Sequence, residues 1–79
     1  MKTITHQEML ELQNQVYKIC DNYDFVLTSK FIYIYPTQGI YTSTILEIIS
    51  DFCKENNMLY FISNSATSDN RIKLLIHKI

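Results

Sequence analysis

Four side chains of this 79-residue chain could ligate a metal or form a nucleophile–base pair: Cys20, Cys53, His6 and His77. No C-x-x-C pair occurs, and the spacing of the cysteines matches no zinc motif. In a helix over residues 5–22, His6 and Cys20 would lie roughly 21 Å apart at 1.5 Å per residue, too far to share one tetrahedral ion. We therefore expect no metal, no cofactor and no disulfide, with both cysteines reduced and buried as small hydrophobes.

A catalytic site is not predicted either. A nucleophile needs a base within hydrogen-bond reach and usually a third group that orients the base. Neither histidine is expected near a cysteine, and the paired carboxylates, such as Asp51 and Glu55, lie on helix faces that water should cover. A single glycine in the chain excludes Gly-rich phosphate-binding loops. We expect a protein that is not an enzyme and has no catalytic residue.

Composition limits the protein class. The formal net charge is −1 and 47% of the residues are hydrophobic, which is typical of one globular domain over residues 1–79 and excludes a polybasic or disordered chain. No apolar run is long enough to span a membrane, and the N-terminus has no apolar block typical of a secretory signal. With only two cysteines, these features favour a cytoplasmic location.

The first half reads as a helix and two strands. Thr5 and Glu8 form a capping-box pattern, and apolar residues then recur at three- and four-residue steps, which predicts a helix over residues 5–22. The apolar stripe of this helix consists of Met9, Leu12, Val16, Ile19, Cys20 and Tyr23. Residues 24–28 and 31–35 are rich in β-branched and aromatic residues, which favours strands joined by a two-residue turn at Ser29-Lys30. Pro36 ends the second strand because it lacks a backbone donor.

The second half repeats this order. A helix is predicted to begin near Thr42 or Thr44, since Thr44 with Glu47 gives another capping box. It is predicted to end at Asn56-Asn57. Its apolar stripe consists of Ile45, Ile48, Ile49, Phe52 and Cys53. Strands follow at 58–63 and 71–77, joined by a polar loop over residues 64–70. A shift of 33 residues superposes the two stripes, so the chain reads as repeat-like halves, 5–35 and 42–77.

The predicted fold is an α+β two-layer αββαββ sandwich, in which two helices cover one face of a four-stranded antiparallel sheet. The strand order is 58–63, 71–77, 31–35, 24–28, which corresponds to a permuted ferredoxin-like arrangement with a pseudo-two-fold repeat. An edge-to-edge pairing of the two hairpins remains open. The predicted core is Val16, Ile19, Ile32, Ile34, Ile49, Phe52, Ile72, Leu74 and Ile76.

Alternation along the central strands predicts an unusual second face. With the isoleucines turned to the helices, the opposite face carries the candidate binding residues Phe31, Tyr33, Tyr35, Leu75, Arg71, Lys73 and His77. An uncovered antiparallel face is normally polar, so an aromatic patch with basic neighbours indicates an interaction surface.

Two functions compete for that surface. The first is protein association, most simply a homodimer through the aromatic sheet face, or contact with another protein. The second is single-stranded nucleic acid, with bases stacked on the tyrosines and phosphates on the basic residues; this layout resembles RNA-recognition sheets, although neither signature peptide of that family is present. The slightly negative net charge favours protein contact. Twelve Ile, six Asn, six Tyr and six Lys suggest an AT-rich coding source, such as a phage or mobile element, and a role as an accessory or inhibitor protein.

Overall fold

The computed structural model describes residues 2–37, 41–63 and 73–79. These residues form two helices and one four-stranded antiparallel sheet in the strand order β1-β2-β4-β3, which confirms the predicted order. The elements are α1 His6–Tyr17, β1 Tyr23–Leu27, β2 Ile32–Pro36, α2 Ser43–Glu55, β3 Met58–Ser63 and β4 Lys73–Lys78.

The core lies between the helices and one face of the sheet. Helix residues such as Leu12 and Ile49 meet the central-strand residues Ile32, Ile34 and Leu74, and all five are fully buried. The two-layer α+β sandwich is therefore confirmed, while its description as a permuted ferredoxin-like fold with a two-fold repeat stays a prediction. Of the predicted core, Ile72 lies outside the described residues.

Helix α1 begins as predicted but ends early. The Thr5 hydroxyl accepts a hydrogen bond from the Glu8 backbone N–H at 3.2 Å, and the Glu8 carboxylate accepts one from the Thr5 N–H at 2.9 Å. The helix then stops at Tyr17 rather than residue 22. Ile19 follows the last helical turn, so helical periodicity no longer directs its side chain to the core, and it is 59% exposed. Its predicted core position is wrong.

The same early end changes the role of two further residues. Cys20, predicted to be buried on the helix stripe, lies past the helix and is half-buried, although it still packs against the core. Tyr23 is buried, as its place on that stripe implied, but it reaches the core as the first residue of β1. The 33-residue repeat of apolar positions therefore does not extend to the ends of the two helices.

The β1–β2 hairpin has the predicted two-residue turn. Leu27 lies opposite Ile32, and the Thr28 N–H donates to the Phe31 carbonyl at 2.9 Å, which leaves Ser29 and Lys30 as the turn. Pro36 is the last residue of β2, as expected from its missing N–H.

Helix α2 and β3 follow the prediction with one correction. The N-cap is Thr42, whose hydroxyl accepts from the Ile45 N–H at 3.3 Å, so the Thr44–Glu47 capping box is wrong. Asn57 adopts φ 53°, the left-handed conformation that reverses the chain into β3. The loop over residues 64–70 and the start of the last predicted strand, including Arg71, lie outside the described residues.

Candidate protein-binding face

One face of the sheet is not covered by either helix. The strand registers place alternate residues of all four strands on it, next to one another across the ladder. We call this surface the open face, and it consists of Asp24, Val26, Phe31, Tyr33, Tyr35, Leu59, Phe61, Lys73, Leu75 and His77. Of the predicted binding residues, all but Arg71 are described, and the structure brings these six together.

Aromatic rings form a continuous row across the open face. Phe61 and His77 meet edge-to-face with centroids 5.6 Å apart, and His77 meets Phe31 at 6.1 Å. The row continues from Phe31 to Tyr33 at 5.9 Å and from Tyr33 to Tyr35 at 6.4 Å. Each ring has a neighbour within the 4.5–7 Å range of favourable aromatic pairs, so the rings stabilise one another on the face.

The apolar character of the face continues to both edges of the sheet. Val26 on β1 is 45% exposed, and Leu59 and Phe61 on β3 are 51% and 46% exposed. Leu75 lies between Tyr33 and Phe61 in the ladder and is half-buried among them. An apolar patch that crosses all four strands is larger than the single exposed side chains that need no explanation.

The charges of the face nearly cancel. Asp24 on β1 and Lys73 on β4 are its two fully charged residues within the described chain. The Lys73 ammonium lies 5.1 Å from the centroid of the Tyr33 ring, where the ring quadrupole attracts a cation. Among the described residues, the face therefore carries one charge of each sign beside its apolar centre.

Sequence reasoning missed four members of this surface: Asp24, Val26, Leu59 and Phe61. In β3 both alternating sets are apolar, so periodicity alone does not tell which set faces the helices. The predicted strand order could have identified the two β3 residues. With strand 58–63 beside strand 71–77, the alternate residues Leu59 and Phe61 lie next to His77 and Leu75.

The residues with ligand or nucleophile chemistry lie apart. His6 is exposed in the first turn of α1, whereas His77 is part of the open face. Cys53 is buried on α2, and burial raises the pKa of its thiol to about 11. Within residues 2–37, 41–63 and 73–79, no three His, Cys, Asp or Glu side chains group as metal ligands. The expected absence of a catalytic residue and of a cofactor stays a prediction.

Neither helix among the described residues is long and apolar enough to cross a bilayer. A scan of the chain against protein-family models gives no match, and searches of curated proteins and of solved structures give no significant match either.

Proposed function

We propose that this protein is a non-enzymatic binding module that associates with a second copy of itself, open face against open face. The observation that carries the proposal is the aromatic row from Phe61 to Tyr35. Tyrosine and phenylalanine are the residue types that anchor protein interfaces, because each adds a large contact area at little cost in side-chain entropy.

The size of the face supports this partner. The two longer extents of the domain, 29 and 25 Å, bound a projected area of about 700 Å². A stable interface buries about 800 Å² per partner, so only a contact that covers nearly the whole open face comes close to that size. Covering it also gives a two-layer domain of 79 residues a second apolar layer, which small folds need for stability.

The charges favour protein over nucleic acid. Among the described residues, the open face of a second copy carries one carboxylate and one ammonium, so two such faces meet without an excess of either charge. A nucleic-acid backbone presents negative charge only, and proteins that bind it usually carry a clear basic excess, whereas this chain has a net charge of −1.

Single-stranded nucleic acid is the second candidate, and one observation favours it. The Tyr33 and Tyr35 rings lie 25° from parallel with Lys73 over one of them, an arrangement on which bases could stack beside a phosphate contact. Arg71, the other basic residue expected there, lies outside the described residues.

Sedimentation velocity of wild type and Tyr33→Glu tests the proposal. The substitution puts an unpaired carboxylate into a desolvated contact, which costs about 3–5 kcal/mol, so we expect association to weaken about 100-fold or more. Ile19→Glu is the matched control, because it adds the same charge at an exposed residue that is not part of the open face. It is expected to leave the sedimentation coefficient unchanged, and circular dichroism checks that both variants fold.

The competing function is tested in parallel by fluorescence anisotropy with labelled single-stranded DNA and RNA at two salt concentrations. A wild type that stays monomeric and binds either strand more weakly as salt rises would replace the dimer with the nucleic-acid function. If Tyr33→Glu loses its fold, Tyr35→Glu provides the same charge at the end of the aromatic row.

A further inference from the structure

The β3 edge of the sheet is exposed over residues 59–62. In the part of the chain that the structure describes, β4 is the one strand that neighbours β3. Four consecutive large side chains of β3 are 37–51% exposed: Leu59, Tyr60, Phe61 and Ile62. The strand contains no charged residue and no proline, the features with which proteins usually block an exposed edge.

The opposite edge, β1, is covered by the chain itself near both of its ends. The Tyr17 hydroxyl on α1 donates to the Tyr23 carbonyl at 2.7 Å, and the Tyr17 ring meets Phe25 edge-to-face at 5.7 Å. Near the β1–β2 turn, the Ile4 N–H donates to the Ser29 carbonyl at 3.2 Å. A strand added along β1 would have to displace these contacts, whereas within the described residues no backbone hydrogen bond occupies the outer side of β3.

The hydrogen-bond pattern identifies those backbone groups. The Ile79 N–H donates to the Asn57 carbonyl at 3.0 Å, which makes Asn57 and Ile79 a hydrogen-bonded pair of the β3–β4 ladder. Hydrogen-bonded pairs alternate along an antiparallel ladder, so Leu59 and Phe61 bond to β4. The N–H and C=O groups of the intervening residues, Met58, Tyr60 and Ile62, point away from β4.

We infer that β3 pairs antiparallel with β3 of a second copy, with the two-fold axis at Tyr60. In this register Tyr60 lies opposite its own copy, and Met58 lies opposite Ile62 of the second copy. All three outward-pointing residues then form hydrogen-bonded pairs, which exchange about six hydrogen bonds. If the two-fold axis passed through Phe61 instead, Tyr60 of each copy would lie opposite Ile62 of the other copy. Only these two outward-pointing residues of β3 would then form hydrogen-bonded pairs, so this register makes fewer hydrogen bonds than the register centred on Tyr60.

Both faces of the sheet agree with this register. A two-fold axis perpendicular to the sheet keeps the helices of both copies on one side, so Leu59 lies beside Phe61 of the second copy on the open face. The result is one eight-stranded sheet whose open face is continuous and has twice the area. This contact does not use the face-to-face contact proposed above, and either can exist without the other.

The edge contact is small by itself. Large side chains such as Tyr and Phe bury about 150–250 Å² each, so four that are about half exposed supply about 300–500 Å² per copy. Stable interfaces bury about 800 Å² per partner, which makes edge pairing alone a weak, concentration-dependent association.

Amide hydrogen exchange followed by NMR tests the inference in the Tyr33→Glu background, where the face-to-face contact is removed. We expect the Tyr60 and Ile62 amides to exchange about tenfold more slowly at high protein concentration than after dilution, since only the paired state protects them. The Leu59 and Phe61 amides bond to β4 within one chain, so their exchange provides the internal control. Outward amides that exchange fast at every concentration would overturn the inference.

Two substitutions separate backbone pairing from side-chain contact. Tyr60→Pro removes an outward-pointing N–H that β4 does not use, so the fold is expected to survive while the concentration-dependent protection of Ile62 disappears. Tyr60→Thr keeps the N–H and a high strand propensity, and it is expected to keep that protection. Equal protection in both variants would contradict pairing through the strand edge. Failure of the face-to-face dimer appears separately, as equal sedimentation of wild type and Tyr33→Glu.

Discussion

Replacing Phe52 by alanine tests which residues form the core, with Ile19→Ala as its partner experiment. Phe52 lies on α2 and is 2% exposed, whereas Ile19, a residue of similar hydrophobicity, is 59% exposed after the end of α1. Removing a buried phenylalanine ring costs about 3–5 kcal/mol, because the transfer free energy is lost and a cavity remains. An exposed substitution changes stability by about 0.5 kcal/mol or less.

The magnitude is large against the whole domain. A domain of 79 residues is expected to have a free energy of unfolding of about 4–12 kcal/mol, so Phe52→Ala removes a third or more of it in most of that range. Urea unfolding followed by circular dichroism measures the difference. We expect the urea concentration at the unfolding midpoint to be about 2 M or more lower for Phe52→Ala than for wild type. Both proteins are measured at the same protein concentration, because association adds to apparent stability.

The comparison of the two variants gives the refuting result. If Ile19→Ala destabilises the protein as much as Phe52→Ala, then Ile19 is buried and the first helix extends through residue 22. If Phe52→Ala leaves the midpoint unchanged, then α2 does not turn this side chain towards the sheet, and the assignment of the open face fails with it.

Two further predictions concern titratable groups. Burial acts to raise the pKa of Glu8, but hydrogen bonds from the Thr5 backbone and from Lys78, whose ammonium lies 3.0 Å away, lower it below its ordinary value. Because the pKa of Glu8 is lower in the folded state, its ionised carboxylate stabilises the fold at any pH above the unfolded-state pKa. Glu8→Gln is therefore expected to lower the free energy of unfolding by about 0.5–1 kcal/mol at pH 7, and to leave it unchanged once the pH falls below the folded-state pKa. Equal losses of stability at both pH values in thermal melts would contradict this. Thiol labelling followed by mass spectrometry is expected to be slower at Cys53 than at the half-buried Cys20, because burial raises the pKa of Cys53 to about 11. Equal rates in the native protein, with both rising on unfolding, would show that the two thiols are equally protected.

The sequence was sufficient to predict the strand order and the sheet face that binds the helices. Strict alternation in β2, where Ile32 and Ile34 alternate with tyrosines, identifies the face directly, because a one-residue slip would bury the wrong set. The capping box at Thr5 located the start of α1 to the residue. Local signals were strong at these positions and agreed with the tertiary structure.

Helix ends and edge strands were harder to predict for a physical reason. Apolar residues continue at helical spacing through Ile19, but the chain must leave α1 early so that Tyr23 can pair with Pro36 in the sheet. Both faces of β3 are apolar, so its contribution to the open face depends on the register with β4, which is a tertiary property. The interpretation of the composition as that of a phage or mobile-element accessory protein, and the cytoplasmic location, stay predictions.

Isotope-filtered NMR on an equimolar mixture of ¹³C-labelled and unlabelled wild-type chains tests the central proposal most directly, because it detects only contacts between copies. If the open face covers a second copy, nuclear Overhauser contacts between chains arise from Phe31, Tyr33 and Leu75, and Ile19 gives none. A mixture in which those three residues give no contacts between chains, at concentrations up to the solubility limit, would contradict the face-to-face dimer.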